Sequence, residues 1–148
     1  MIKAGVSLKI KIRSYRHPED YKAVFRVWKL ARKGIHVSFS DEEEEIKKLV
    51  EKNPGLFFLA EIDGKVIGTA MGGFDGRRGI IYHLAVLPEF QNLRIGSKLL
   101  SCVEEGLKKA GCSKVYLFVV SENSELSDYY ARHGYEKMDV IPLTKKLN

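Results

Sequence analysis

Apolar and basic residues alternate from position 8 to 13, with Leu8, Ile10 and Ile12 set against Lys9, Lys11 and Arg13. A period of two predicts a strand at the sheet's edge or with one wet face. Pro18 suits a first helical turn. Val24, Val27, Trp28 and Ala31 follow at helical spacing, and Gly34 is the stop. Ser40 and Glu43 form a capping box by their spacing, and the acidic run from Asp41 to Glu45 places charge where the helix dipole favours it. Asn53-Pro54-Gly55 ends this second helix. Residues 56–62 and 65–71 read as strands joined by Asp63-Gly64, a strong hairpin signal. Residues 72–79 (GGFDGRRG) read as a second turn, and 80–86 as a third strand ended by Pro88.

Ile95, Leu99, Leu100, Val103 and Leu107 make one apolar stripe on a helix over 95–110, closed by Gly111. Six consecutive apolar residues at 115–120 predict a central strand. A short helix over 124–133 ends at Gly134, and 140–147 reads as a last strand, with Pro142 placing it at an edge or a bulge. Hairpin-linked strands thus precede a strand–helix–strand crossover. That order predicts a mixed sheet with helices on both faces. No repeat or linker divides the chain, so residues 1–148 are expected to form one domain.

At 148 residues and 45% hydrophobic content, the chain can bury a core without staples. Cys102 and Cys112 match neither a disulfide framework nor a zinc spacing, so no metal site is expected. No apolar run has the length of a membrane span and no signal-peptide pattern opens the chain. The expected compartment is the cytoplasm. The net charge of +6 is compatible with nucleic acid, anionic lipid or a phosphate-bearing small molecule. Lys and Arg are scattered, however, which favours a solvated surface over a nucleic-acid face.

Candidate chemistry concentrates in residues 84–100 (LAVLPEFQNLRIGSKLL), where a strand runs into a short loop that opens a long helix. The free N–H groups of a first helical turn, with the loop amides, can wrap a pyrophosphate. Gly96 removes a side chain where a ligand would approach the backbone. Ser97 adds a hydroxyl, and Arg94 and Lys98 add charge. The nucleotide-binding patterns G-x-x-x-x-G-K-S/T and G-x-G-x-x-G are absent.

The same segment resembles motif A of the GNAT N-acetyltransferase superfamily, Q/R-x-x-G-x-G/A after a strand ending in A-V-x-P. Gln91 takes the first position and Gly96 the last, while Arg94 replaces the middle glycine. Downstream, Asn123, Tyr129, Tyr130, Gly134 and Tyr135 resemble the family's N-x-x-A-x-x-F/L-Y-x-x-x-G-F/Y, with Leu126 at the alanine position. The GGFDGRRG and GCSKVYLFVV segments are similar to those of a subgroup of small prokaryotic members. The resemblance implies an α+β, three-layer α/β/α fold with a mixed, mostly antiparallel sheet of six or seven strands.

It also implies acetyl-CoA as co-substrate. Strands 80–86 and 114–120 would be parallel neighbours that splay apart. Backbone groups of Leu84, Ala85 and Val86 would then pair with the pantetheine arm, and an N–H near Val86 would polarise the thioester carbonyl. The pyrophosphate would rest on the amides of Gln91, Asn92, Leu93, Arg94, Ile95, Gly96 and Ser97. Asn123 would contact the pantetheine arm. Tyr130 would meet the cofactor's sulfur and act as the general acid for the leaving thiolate, with Tyr129 the core residue beside it.

The implied reaction is direct attack of a primary amine on the thioester. The residues do not single out a general base. Ile80 and Tyr82 occupy the positions that face substrate, and strand alternation turns His83 to the other face. Glu61 or Asp75 acting through water, and a water relay with no single base, stand as alternatives. The acceptor is a small-molecule amine or a protein or peptide amine, and about residues 29–40 and 138–143 would frame its pocket. A second reading is a non-catalytic acyl-CoA-binding sensor or partner module of the same fold. A third places the acceptor amine on RNA or a nucleic-acid-associated protein. The apolar last strand is compatible with a homodimer.

Overall fold

The computed structural model describes residues 9–31, 35–120 and 125–148. Leu8, Gly34, Asn123 and Ser124, read above as a strand start, a helix stop, a cofactor contact and a helix start, lie outside the described residues. By its contacts the chain divides into two units, Met1–Phe118 and Val119–Asn148.

The first unit runs β1 (Ile10–Ser14), α1 (Tyr21–Ala31), α2 (Glu43–Lys52), β2 (Phe57–Ile62), β3 (Lys65–Phe74), β4 (Gly79–Val86), α3 (Ile95–Lys109) and β5 (Val115–Leu117). Its sheet has the order β1-β2-β3-β4-β5, antiparallel except for the parallel β4–β5 pair. The stripe of α3 is buried as the periodicity predicts. It packs on a glycine-lined sheet face: a Cβ on Gly72 would stand 2.7 Å from Val103 Cγ1 and 3.2 Å from the Leu56 carbonyl oxygen. Residues one position on face the other way. There Thr69 meets Trp28 of α1, and Gly73 lies beneath Leu49 of α2. Both sheet faces are therefore covered, and the α+β, mixed-sheet expectation holds.

Several boundaries differ. Five strands are present among the described residues, where six or seven were expected. Gly72 and Gly73 belong to β3 and not to a turn, because close approach of α3 demands glycine inside the strand. The real turn is shorter, with Asp75 Oδ1 accepting from the amides of Arg77 and Arg78, each at 2.7 Å. Pro18 precedes the helix, in a turn whose Tyr21 N–H donates to the Pro18 carbonyl (3.0 Å). The capping box is Ser38 with Asp41, on a short 3₁₀ turn Phe39–Asp41, and Glu42 caps α2 without a side-chain bond.

Apolar content misled at the C-terminal side. Among the described residues β5 has three half-buried residues and stands at the end of the sheet, where a central strand was expected, and Phe118 beyond it is 64% exposed. In the second unit, α4 (Leu126–Ala131) is the described helix. Residues 140–147 are irregular, with Ile141, Leu143 and Leu147 exposed. Pro142 lacks the N–H a ladder needs, and no partner strand stands beside it among the described residues of that unit.

Candidate active site at the open edge of strand β4

β4 changes neighbours along its length. Gly79, Ile80 and Ile81 pair with Val115, Tyr116 and Leu117 of β5, and among the described residues the parallel pairing ends there. On its other side β4 stays paired to β3, through Thr69↔Ala85 and Gly68↔Val86. The Leu87 N–H donates to the Ile67 carbonyl at 2.8 Å. That bond makes 67/87 and 69/85 the hydrogen-bonded pairs of the ladder, so the N–H groups of Leu84 and Val86 turn away from β3. They face the side that β5 has left. Of the three backbone positions singled out by sequence, Leu84 and Val86 present N–H groups that are open among the described residues, and Ala85 is tied to Thr69.

The strand then enters the loop before α3. Gln91 closes this loop: its Nε2 donates to the Val86 carbonyl (3.1 Å) and its N–H to the Pro88 carbonyl (3.3 Å). Asn92 and Arg94 both take left-handed backbone, with φ 64° and 63°. The first helical bond is Lys98 N–H to the Arg94 carbonyl at 3.1 Å, and α3 has no side-chain cap. The amides of Asn92, Leu93, Arg94, Ile95 and Gly96 donate to no carbonyl among the described residues. These five form an uncapped amide cluster at a dipole's positive end, suited to an anion. Arg94 thus holds the left-handed conformation that glycine adopts without cost.

Between the paired and open parts of β4 lies an irregularity that the sequence did not disclose. One β3 residue, Ala70, faces two β4 residues, His83 and Leu84, and His83 has φ 48°. This is a bulge. It overrides strand alternation, so His83 shares the α1 face with Tyr82 instead of opposing it. Its ring lies 4.8 Å from that of Trp28. Its Nε2 is 2.7 Å from Asp41 Oδ1, and its carbonyl accepts from the Thr69 hydroxyl at 2.9 Å. Asp41 is buried, takes the Ser38 N–H on Oδ2 (3.0 Å), and its carbonyl accepts from the Tyr21 hydroxyl (2.8 Å).

The other groups considered as bases are committed elsewhere. Glu61 accepts from Arg13 Nε at 3.0 Å. Asp75 is held below the usual carboxylate range by the amides of Arg78 and Arg77. Sequence reasoning missed the pairing of Asp41 with His83. By sequence Asp41 stood only as the start of an acidic run at a helix N-terminus, and the Ser38-x-x-Asp41 spacing that marks it as a cap was passed over for Ser40 and Glu43.

In the second unit Tyr130 is half-buried on α4, with its ring edge-on to Tyr129 (5.2 Å) and Tyr135 (5.7 Å). Burial, with a smaller effect of Tyr129, pushes its phenol up to about 12. Tyr129 is equally half-buried and packs on His133 at 4.6 Å.

A family model described as acetyltransferase (GNAT) family matches residues 20–135. The chain belongs to the GNAT acetyltransferase family. The match includes both β4 and Tyr130, and so extends across both units. An acetyltransferase of Pectobacterium atrosepticum is 36% identical over 138 residues, 93% of this chain and 96% of that protein. Among solved structures, the PaiA N-acetyltransferase of Thermoplasma acidophilum in complex with coenzyme A is similar. It has a TM-score of 0.78 and 23% identity, with 90% of this chain and 93% of that one covered. Glucosamine-6-phosphate N-acetyltransferase of Arabidopsis thaliana is similar with a TM-score of 0.71 and 20% identity, covering 95% and 99%. For this GNAT member the structural likenesses establish the fold.

Proposed function

We propose that this chain is a single-domain, acetyl-CoA-dependent N-acetyltransferase that moves the acetyl group directly from the thioester to a primary amine. The observation that carries the reading is the continuity of the open β4 edge with the uncapped amides of α3. A molecule with an amide-bearing arm and a pyrophosphate matches both in order. The backbone of Leu84 and Val86 pairs with the arm in the manner of an added strand. The Val86 N–H donates to the thioester oxygen as charge develops there. The amides of Asn92 to Ser97 and the Arg94 guanidinium take the pyrophosphate, and Gln91 acts by bracing the loop. Asn123 contacts the pantetheine arm.

Tyr130 serves the leaving sulfur. Its phenol stays protonated through neutral pH because burial pushes it up to about 12. An ordinary thiol titrates near 8.5, so complete transfer from the phenol to the thiolate is uphill. Tyr130 therefore acts as general acid chiefly by hydrogen bonding to sulfur as the C–S bond breaks. The thiolate's proton is balanced by the one the new amide nitrogen loses.

Calorimetric titration with acetyl-CoA, with ATP and NAD as controls, tests the binding half. Micromolar, selective binding that Gly96→Glu abolishes is expected. CoA release across a panel of small amines and peptides with free N-termini tests the transfer. Selective binding with no release across that panel would favour an acyl-CoA-binding module instead.

A further inference from the structure

We infer that His83, held by Asp41, is the group that takes the proton from the acceptor amine. The inference rests on the transfer reaction proposed above and adds the base that reaction lacks. A carboxylate only accepts hydrogen bonds, so the 2.7 Å contact places the ring hydrogen of His83 on Nε2. The lone pair of the neutral ring then sits on Nδ1, for which no partner exists among the described residues. This is the arrangement in which a carboxylate fixes an imidazole's tautomer and steadies its cation.

The placement is specific. His83 stands two residues past Ile81, the last β4 residue paired with β5. Val86, the proposed donor to the thioester oxygen, is three residues further on, about 10 Å along an extended strand. A side chain and one bound water cover that reach to an attacking nitrogen. The bulge keeps the ring on the α1 face, and Thr69 fixes the bulged carbonyl. The charged and titratable groups facing the ring are few. Asp41 comes from the 3₁₀ turn, Tyr21 of α1 stands behind the Asp41 carbonyl, and Tyr82 precedes His83 on β4. Glu42 and Glu43 at the start of α2 add negative charge near Tyr21. Trp28 and Thr69 complete the surround without titrating.

The proton account closes. The ammonium gives one proton to Nδ1, and the freed nitrogen forms its bond to the thioester carbon as the C–S bond breaks. The nitrogen's second proton balances the thiolate through Tyr130 and solvent, and His83 returns its own to water.

His83→Asn tests this, because asparagine tolerates the left-handed backbone. It is expected to lower kcat/KM by roughly 10²–10⁴-fold at unchanged acetyl-CoA affinity, and to remove the acid limb of the pH profile. Asp41→Asn is expected to lower kcat/KM as well, at unchanged acetyl-CoA affinity, since the amide no longer fixes the ring's tautomer. Trp28, the only tryptophan, reports the ring independently. Its emission should titrate along the same limb in the unmodified chain and not in His83→Asn. Should His83→Asn fail to fold, His83→Gln and Asp41→Asn carry the same comparison. Retention of the limb in a folded His83 variant, with acetyl-CoA bound normally, overturns this assignment alone. Failure of the unmodified chain to bind acetyl-CoA overturns the proposed reaction and this assignment with it.

Discussion

The hydroxyl of Thr69, fully buried in the sheet, donates to the carbonyl oxygen of His83 at 2.9 Å. The Thr69 hydroxyl oxygen in turn accepts from Trp28 Nε1 at 3.0 Å. One side chain thus ties α1 to the β4 bulge. Thr69→Val keeps the shape and deletes both bonds, leaving a buried indole N–H without a partner. The expected loss is about 2–4 kcal/mol, read by urea denaturation, whereas Thr69→Ser should stay within about 1 kcal/mol of the native chain. A Thr69→Val chain of native stability would show that the bulge is held by packing alone.

This bulge marks the limit of what the sequence discloses. Helices α1 and α3 and the β2–β3 hairpin were legible because each buries one face, and burial imposes a period. A bulge adds one residue without a glycine or proline to announce it, so alternation assigned His83 to the wrong face. Asp41 and His83 are 42 positions apart and meet only because α2's entry turn packs over β4. Motif spacing pointed to the β4 edge and the α3 loop, since backbone amides there depend on local chain path. Gln91 stands in that loop too, bonded to the Val86 and Pro88 carbonyls. The apolar residues at 115–120 and 140–147 misled because composition alone carries no information about which partner strand is present.

Arg94 holds a left-handed backbone that costs a non-glycine residue about 1–2 kcal/mol. Arg94→Gly should leave stability unchanged or raise it by up to about 1 kcal/mol, because glycine's extra freedom when unfolded offsets part of the relief. If the guanidinium meets phosphate, the same change weakens acetyl-CoA binding and flattens its salt dependence. Arg94→Ala keeps the strain and removes the charge. Melting curves with calorimetry at two salt concentrations separate the two effects.

Tyr130→Phe should retain acetyl-CoA affinity and lower kcat by at least tenfold, a loss in the chemical step that single-turnover kinetics would place. Because burial pushes the phenol up to about 12, no alkaline fall in kcat below about pH 11 should disappear in this variant. The raised value also bears on stability. It favours the neutral form in the fold, so the contribution is complete below the unfolded tyrosine value near 10 and fades toward pH 12. Equal loss of affinity and rate would mark Tyr130 as a packing residue.

Gly72→Ala inserts a methyl group 2.7 Å from Val103 Cγ1 and 3.2 Å from the Leu56 carbonyl oxygen. Val103 is β-branched and fully buried, so its Cγ1 has little room to yield and α3 must lift from the sheet. The expected destabilisation is about 1–3 kcal/mol. Gly76→Ala is the contrasting control, since nothing lies within 4 Å there and only its left-handed backbone is strained. Thermal unfolding of the two variants tells crowding from strain.

Arg13 grips Asp20 with two bonds, of 2.7 and 2.9 Å, and sends Nε to Glu61. The side chains are 17%, 11% and 13% exposed, so water screens the cluster only in part. The bonds from Arg13, and after them the Arg16 amide, hold the Asp20 carboxyl below its usual range against the opposing effect of burial. A lowered carboxylate value stabilises the fold above the unfolded value near 3.9, and that stabilisation is lost as pH falls through the folded value. Arg13→Met therefore costs on the order of 2–3 kcal/mol at pH 7, where two carboxylates lose their cation. The gap between variant and native chain should narrow steadily below about pH 4, as Asp20 is neutralised in both. Denaturant midpoints measured from pH 7 down to pH 2 give the comparison, and a gap that stays constant with pH would show that Arg13 contributes through its packed alkyl stem and not through its charge.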